Sequence, residues 1–138
     1  MSAAFVADAS AGIAWVHPSQ ATDTSQQWLA AAEAGSAIHV PTLWPVEVAN
    51  ALLVAVRRNR MTHTLRTSSI LLLSRLNIHL DTETSTLAWT SISDVAVTHN
   101  LSVYDAAYLE LATRKKMPLA TCDAALRSAA TRVGVELL

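Results

Sequence analysis

Two short apolar runs, one near each end of the chain, stop on an aspartate. Ala4-Phe5-Val6-Ala7 runs into Asp8, and Leu119-Ala120-Thr121-Cys122 runs into Asp123. Each reads as a strand, and each is followed by a helical pattern. Between them short apolar runs and longer helical runs alternate, which argues for a parallel sheet covered on both faces. Right-handed crossovers bring the carboxyl ends of such strands to one edge, where open α/β sheets bind their ligands. A chain that folds this way gathers acids that are far apart in sequence.

The pattern predicts strands over 4–8, 37–40 (ended by Pro41), 77–80 and 119–122, with a last edge strand over 135–137. Helices are predicted over 10–17, 21–34, 43–58, 62–75, 82–99, 104–115 and 123–132. Gly35 stops the second helix, and Pro45 is tolerated in the first turn of the third. The fold class is therefore α/β with a small, mostly parallel central sheet between thick helical layers. At 138 residues, 51% of them hydrophobic, one domain spanning 1–138 with a real core is expected.

Composition removes several function classes. One cysteine, Cys122, permits no internal disulfide and no Cys-rich metal site, and fits a reducing cytoplasmic setting. No apolar segment approaches the ~18 residues of a membrane span, and the start Met1-Ser2-Ala3-Ala4-Phe5 lacks the basic residues of a signal peptide. The five histidines show no paired zinc spacing, three glycines leave no room for GxGxxG or a P-loop, and no G-x-S-x-G elbow occurs. With 10 Lys+Arg against 11 Asp+Glu, bulk charge does not attract nucleic acid. Two local basic clusters remain candidates for RNA contact: Arg57, Arg58 and Arg60, then Arg114, Lys115 and Lys116. Both also suit helix C-termini, where cations offset the dipole.

Four acids fall where strands end or helices begin: Asp8, Glu47, Asp105 and Asp123. Asp8 and Asp123 also suit helix N-caps, and Ser102 with Asp105 matches a capping box. Glu47 lies on a helix that is apolar nearly all round, so burial is expected, and a buried carboxylate needs a partner or a metal. Asn50, three residues on, is placed to orient it or to hold a phosphate. Ser10 is placed to support the site or to cap a helix. Asp23, Glu33, Asp81, Glu83, Asp94, Glu110 and Glu136 fall on polar faces or turns. Clustered carboxylates form a hard oxygen site suited to Mg²⁺ or Mn²⁺. Such an ion lowers the pKa of bound water and balances charge on a leaving oxygen, which suits phosphodiester hydrolysis. Asp8 and Asp105 are the expected core ligands. Four tryptophans and the two-faced apolar helix 43–58 suggest a protein partner or a second copy.

The ordered set resembles the PIN-domain family. Phe5-Val6-Ala7-Asp8-Ala9-Ser10 resembles its opening motif. The stretch from Pro41 to Leu52, containing Glu47 and Asn50, resembles its second. Ser102-Val103-Tyr104-Asp105 and the residues to Ala112 resemble its third, and Leu119 to Leu126 its fourth. Length and spare build are similar to the VapC toxins of bacterial toxin–antitoxin pairs. The resemblance implies a three-layer α/β/α sandwich and a Mg²⁺- or Mn²⁺-dependent endoribonuclease. Its acids are Asp8, Glu47, Asp105 and Asp123, with Ser10 and Thr121 supporting. It also implies a homodimer and a cognate antitoxin that blocks the site. Many relatives carry a further acid just after the fourth motif; Ala124 to Leu126 supply none. Two other classes stay open: a metal-free PIN-like binding module whose acids are caps, and a metal-dependent phosphatase on small substrates.

Overall fold

The computed structural model describes residues 3–138. Among them four strands form one parallel sheet in the order β3-β2-β1-β4. They are β1 (Phe5–Ala7), β2 (Ile38–Pro41), β3 (Ile78–Asp81) and β4 (Leu119–Ala120). The helices are α1 (Ala9–Val16), α2 (Asp23–Glu33), α3 (Trp44–Arg57), α4 (His63–Ser74), α5 (Thr84–Leu87), α6 (Ser91–His99), α7 (Val103–Lys115) and α8 (Ala124–Val133).

The strand order fixes the layers. From β1 to β2 to β3 the chain steps one way across the sheet, and then it returns past β1 to β4. Right-handed crossovers place the helices of the outward steps on one face and those of the return on the other. In accord with this, α1 packs on α2 and α3, and α3 on α4, while α6 packs on α7 and α7 on α8. The reversal falls between β1 and β4, so the topological switch point opens beside the ends of these two strands. β1 is buried throughout, as a central parallel strand should be. Phe5, Val6, Ile38, Val40, Leu52, Tyr108, Leu119 and Leu126 form the middle of the core.

Five expectations change. Pro41 does not end β2 early; it is the last strand residue, paired with Asp81, where a missing N–H costs little. Residues 135–137 make no strand, only a single parallel bridge between Leu119 and Leu137. Helix 82–99 is two helices. The Ser/Thr-rich segment Thr82 to Thr86 has low helix propensity, the chain breaks at Ala88–Thr90, and the Ser93 hydroxyl donates to the Ala88 carbonyl. Helix α3 buries only the stripe Trp44, Val48, Leu52 and Ala55; Val46 is 72% exposed, so Glu47 is half-buried rather than deeply buried. Glu110 and Asp81, expected on polar faces or turns, have side chains that are nearly buried and pair with Arg114.

Candidate active site

Asp8 is the best-held acid. It follows β1 directly, and Oδ1 caps α1 by accepting from the Ala11 amide at 2.9 Å. The same oxygen accepts from the Ser10 hydroxyl at 2.7 Å, and Oδ2 accepts from Thr121. Ser10 is therefore not a cap. Its Oγ also accepts the Cys122 amide at 2.9 Å, and so ties the end of β4 to the end of β1. Thr121 Oγ1 in turn accepts the Asp123 amide at 3.0 Å, and Asp123 caps α8 through the Leu126 amide at 2.8 Å. The Asp8 amide donates to the Ala120 carbonyl, which sets the two strand ends level. The cap roles of Asp8 and Asp123 are real. They are also what aims both carboxylates at the switch point.

Glu47 and Asp105 arrive from helix starts. Glu47 is in the first turn of α3, and its Oε1 accepts from the Tyr108 hydroxyl at 2.6 Å. Asn50, expected to orient Glu47, is exposed and makes no hydrogen bond to it. Asp105 is in the first turn of α7, whose cap Ser102 accepts the Asp105 amide at 3.0 Å.

The electrostatics show that the acids sense one another. Burial pushes Asp8 above the usual carboxylate range; hydrogen bonds from Thr121, Ser10 and Ala11 oppose this, and the charge of Asp105 adds to it. Burial raises Glu47, against the Tyr108 hydrogen bond, and the charges of Asp105 and Asp8 raise it further. Asp105 is raised by burial and then by Asp123. Tyr108 is held protonated well above its ordinary pKa by burial and by Glu47, so it serves as a fixed donor. Asp8 and Glu47 thus lie in the field of Asp105, Glu47 also in that of Asp8, and Asp105 in that of Asp123, each adding to the larger effect of burial.

Hard oxygen donors under mutual repulsion suit a divalent cation. Among the described residues no three His, Cys, Asp or Glu side chains close on one point at ligand spacing. A divalent ion that keeps several waters needs only one or two carboxylates plus substrate phosphate. The donors therefore fit an open divalent site.

The basic clusters lie away from the acids. Arg57 is ten residues along α3 from Glu47, about 15 Å at the helical rise, and Lys115 is as far along α7 from Asp105. Arg114 is occupied by ion pairs to Asp81, Glu83 and Glu110. Three side chains at the site had no signal of their own in sequence. Tyr108 holds Glu47. The Trp44 indole N–H donates to the Asp8 carbonyl at 2.9 Å. Arg127 donates to the Thr121 carbonyl at 2.8 Å. Three of the four tryptophans are buried, so only Trp89 keeps the surface role expected of the set.

A family model described as PIN domain matches residues 5–131 of the chain. The crystal structure of PAE2754 from Pyrobaculum aerophilum matches with a TM-score of 0.68 at 24% identity, covering 94% of this chain and 81% of that one. At that identity the likeness is one of fold. No curated protein matches the chain.

Proposed function

The chain belongs to the PIN domain family, and on that premise we propose that it is a metal-dependent endoribonuclease, the toxin of a type II toxin–antitoxin pair. PIN domains are generally nucleases and generally use divalent ions. The observation that supports the reading is that Asp8, Glu47 and Asp105, carried by separate elements, are each pushed up in pKa by burial and by a neighbouring acid, Asp123 being the neighbour of Asp105. The proposal takes residues 1–138 as one PIN-like domain acting in the cytoplasm. Among the described residues no helix is long and apolar enough to cross a membrane.

The residues divide the work. Asp8, locked by Ser10, Thr121 and the α1 amide, is the fixed point of the site. Asp105 stands beside it on an independent helix, and Glu47 and Asp123 complete the acidic edge. A bound Mg²⁺ or Mn²⁺ would supply water activation and charge balance at the scissile phosphate. Tyr108 holds Glu47 in one orientation, and Trp44 fixes the Asp8 backbone. Lone pairs not used in these bonds are the ones available to a cation or its waters.

An apolar groove between α3, α4 and β3 supports the antitoxin half of the proposal. It encloses about 430 Å³ and is lined by Trp44, Val48, Leu52, Leu73, Ile78 and Leu80 among others. Trp44, Pro45 and Val48 bring the first turns of α3, the helix that carries Glu47, into its wall. We propose that an apolar antitoxin segment seats there. Homodimerisation is part of the same proposal, and light scattering on dilution tests it: a monomer at every concentration overturns it.

The deciding experiment is cleavage of RNA by purified protein free of partner, with Mn²⁺ or with EDTA, beside Asp8→Asn and Asp105→Asn. Metal-dependent cutting lost in both variants is expected. Cutting that survives in both overturns the site. The two cap roles favour one alternative, a metal-free binding module. Calorimetry separates the two, because such a module gives no heat with Mn²⁺.

A further inference from the structure

Most of the aromatic side chains of this protein are core. Phe5, Trp15, Trp28, Trp44 and Tyr108 are buried, which leaves Trp89 at 86% exposure and Tyr104 at 64%. Trp89 stands in the break between α5 and α6. Tyr104 stands in the first turn of α7, one residue before Asp105.

The helix fixes the side on which Tyr104 lies. At 3.6 residues per turn, Tyr104, Asp105 and Tyr108 fall within one arc of about 100° on α7, with Tyr108 between the other two. Tyr108 reaches across to Glu47 on α3, and the charge of Asp105 acts on Asp8 and on Glu47. That arc therefore faces the acidic edge. Tyr104 lies one turn nearer the start of α7 than Tyr108, with Cβ atoms about 5–6 Å apart. On α3 the residue before Glu47 is also apolar and open to solvent: Val46, at 72% exposure. The two helix starts that carry Glu47 and Asp105 thus each present an exposed apolar or aromatic residue immediately before the acid.

We propose that Tyr104 is a substrate-binding residue whose ring stacks on a nucleobase beside the scissile phosphate, so that the site takes an unpaired strand. The assignment rests on the nuclease reading of the acids. It answers a problem of charge. Bulk charge is −1, and the charges that act on Asp8, Glu47 and Asp105 are all those of other acids. The basic clusters begin at the other ends of α3 and α7. Phosphates that flank the scissile one therefore meet little attraction at this edge. Stacking supplies affinity without charge, because every base has a π-face, and an aromatic ring that takes one contributes about tenfold or more. A paired base has both faces covered by its neighbours in the duplex, so the ring selects a strand whose bases are free. One residue from Asp105, it also sets the register of that strand against the acids.

The test is binding in EDTA, where no metal-dependent cutting occurs. End-labelled oligo(A) and oligo(U) ribonucleotides, and the duplex annealed from them, are titrated by fluorescence anisotropy across a salt series. The wild type is expected to bind either single strand more tightly than the duplex. Tyr104→Ala is expected to weaken single-strand affinity about tenfold with the salt slope unchanged, because a stack is lost and no phosphate contact is. Tyr104→Phe keeps the ring and is expected to keep the affinity. Tyr104 is exposed, so an unmoved urea midpoint for both variants shows that the fold is intact. Single strands that do not bind the wild type, or that bind Tyr104→Ala as tightly, overturn the assignment. Tyr104→Phe that binds as weakly as Tyr104→Ala overturns it too, since the ring is then not the contact. Unchanged RNA affinity in Tyr104→Ala, with a changed mass by light scattering, gives the residue to an interface between copies and overturns it as well. Cleavage with Mn²⁺ separates this assignment from the reading beneath it. Single strands bound through Tyr104 but never cut support the stack and remove the nuclease reading. Strands cut by Tyr104→Ala at wild-type kcat/KM do the reverse.

Discussion

The Tyr108 hydroxyl donates to Glu47 Oε1 at 2.6 Å, and so joins α7 to α3 across 61 residues of sequence. Tyr108 is buried and its ring cannot turn away, so Glu47 has one orientation. Tyr108→Phe keeps the shape and deletes the donor. The half-buried carboxylate then loses a bond worth about 1–2 kcal/mol. The bond also lowers the Glu47 pKa, so its loss pushes that pKa further up. The expected result is a urea midpoint lowered by that energy and a pH–rate profile for RNA cleavage whose acid limb moves to higher pH. An unmoved limb means that Glu47 does not take part.

The raised acids make stability depend on pH and metal together. A carboxyl whose folded pKa exceeds its unfolded value favours the fold while protonated. For Asp8, Glu47 and Asp105 that contribution is complete below the unfolded pKa near 4, and it is lost as pH rises through the higher folded values. At pH 7 without metal the acidic edge therefore weakens the fold. A cation bound only by the native state restores stability, by about 2.7 kcal/mol at a hundredfold excess over its Kd. Calorimetric melting with and without Mn²⁺ should show a clear rise in Tm at pH 7 that fades towards pH 4. An equal shift at both pH values would mean that the ion binds elsewhere.

Gly12 supports the site from behind. A Cβ there would lie 2.8 Å from Trp44 Cζ2 and 3.4 Å from Val48. The Trp44 indole has little room to retreat, because its N–H holds the Asp8 carbonyl. Gly12→Ala is expected to cost about 1–3 kcal/mol by overpacking. It should also reduce cleavage more than that loss of folded protein explains, because the backbone of Asp8 moves with the indole. Urea unfolding and a rate per folded molecule measure the two effects separately; a purely structural cost would argue against the Trp44 link.

Asp8 and Asp123 were legible in the sequence because one local pattern, apolar strand then acid then helix, carries both the fold and the cap. Asp105 was legible for the same reason at a helix start. The supports of these acids were not. Nothing near Tyr108 indicates that its hydroxyl finds a carboxylate 61 residues away, and nothing near Trp44 indicates a bond to Asp8. Such contacts come from tertiary packing, which local periodicity does not encode. Periodicity also misplaced Glu47. An apolar helix reads as buried all round, but α3 presses only one stripe on the core and leaves Val46 to solvent. Helix 82–99 failed differently, because its spacing was plausible while its Ser/Thr composition favoured a break.

Arg114 has partners that composition does not reveal. It sits in a basic run with Lys115 and Lys116, which suggested contact with RNA, yet its guanidinium is already divided among three carboxylates. Nε meets Glu110 Oε2 at 2.9 Å, Nη1 meets Glu83 Oε2 at 3.0 Å, and Nη2 pairs with Asp81. The Asp81 and Glu110 side chains are nearly buried, whereas Arg114 and Glu83 reach solvent. Removing the cation leaves two poorly solvated carboxylates facing each other. Breaking a buried pair costs about 3–5 kcal/mol, and partial exposure of the arginine brings the expected loss for Arg114→Gln to about 2 kcal/mol. Asp81→Asn in the same chain should recover part of it, because the remaining repulsion falls; a double-mutant cycle by urea unfolding reads that coupling. RNA affinity per folded molecule should be unchanged, in contrast to Tyr104→Ala. A stable Arg114→Gln protein that binds RNA weakly would return Arg114 to the substrate and make the ion pairs incidental.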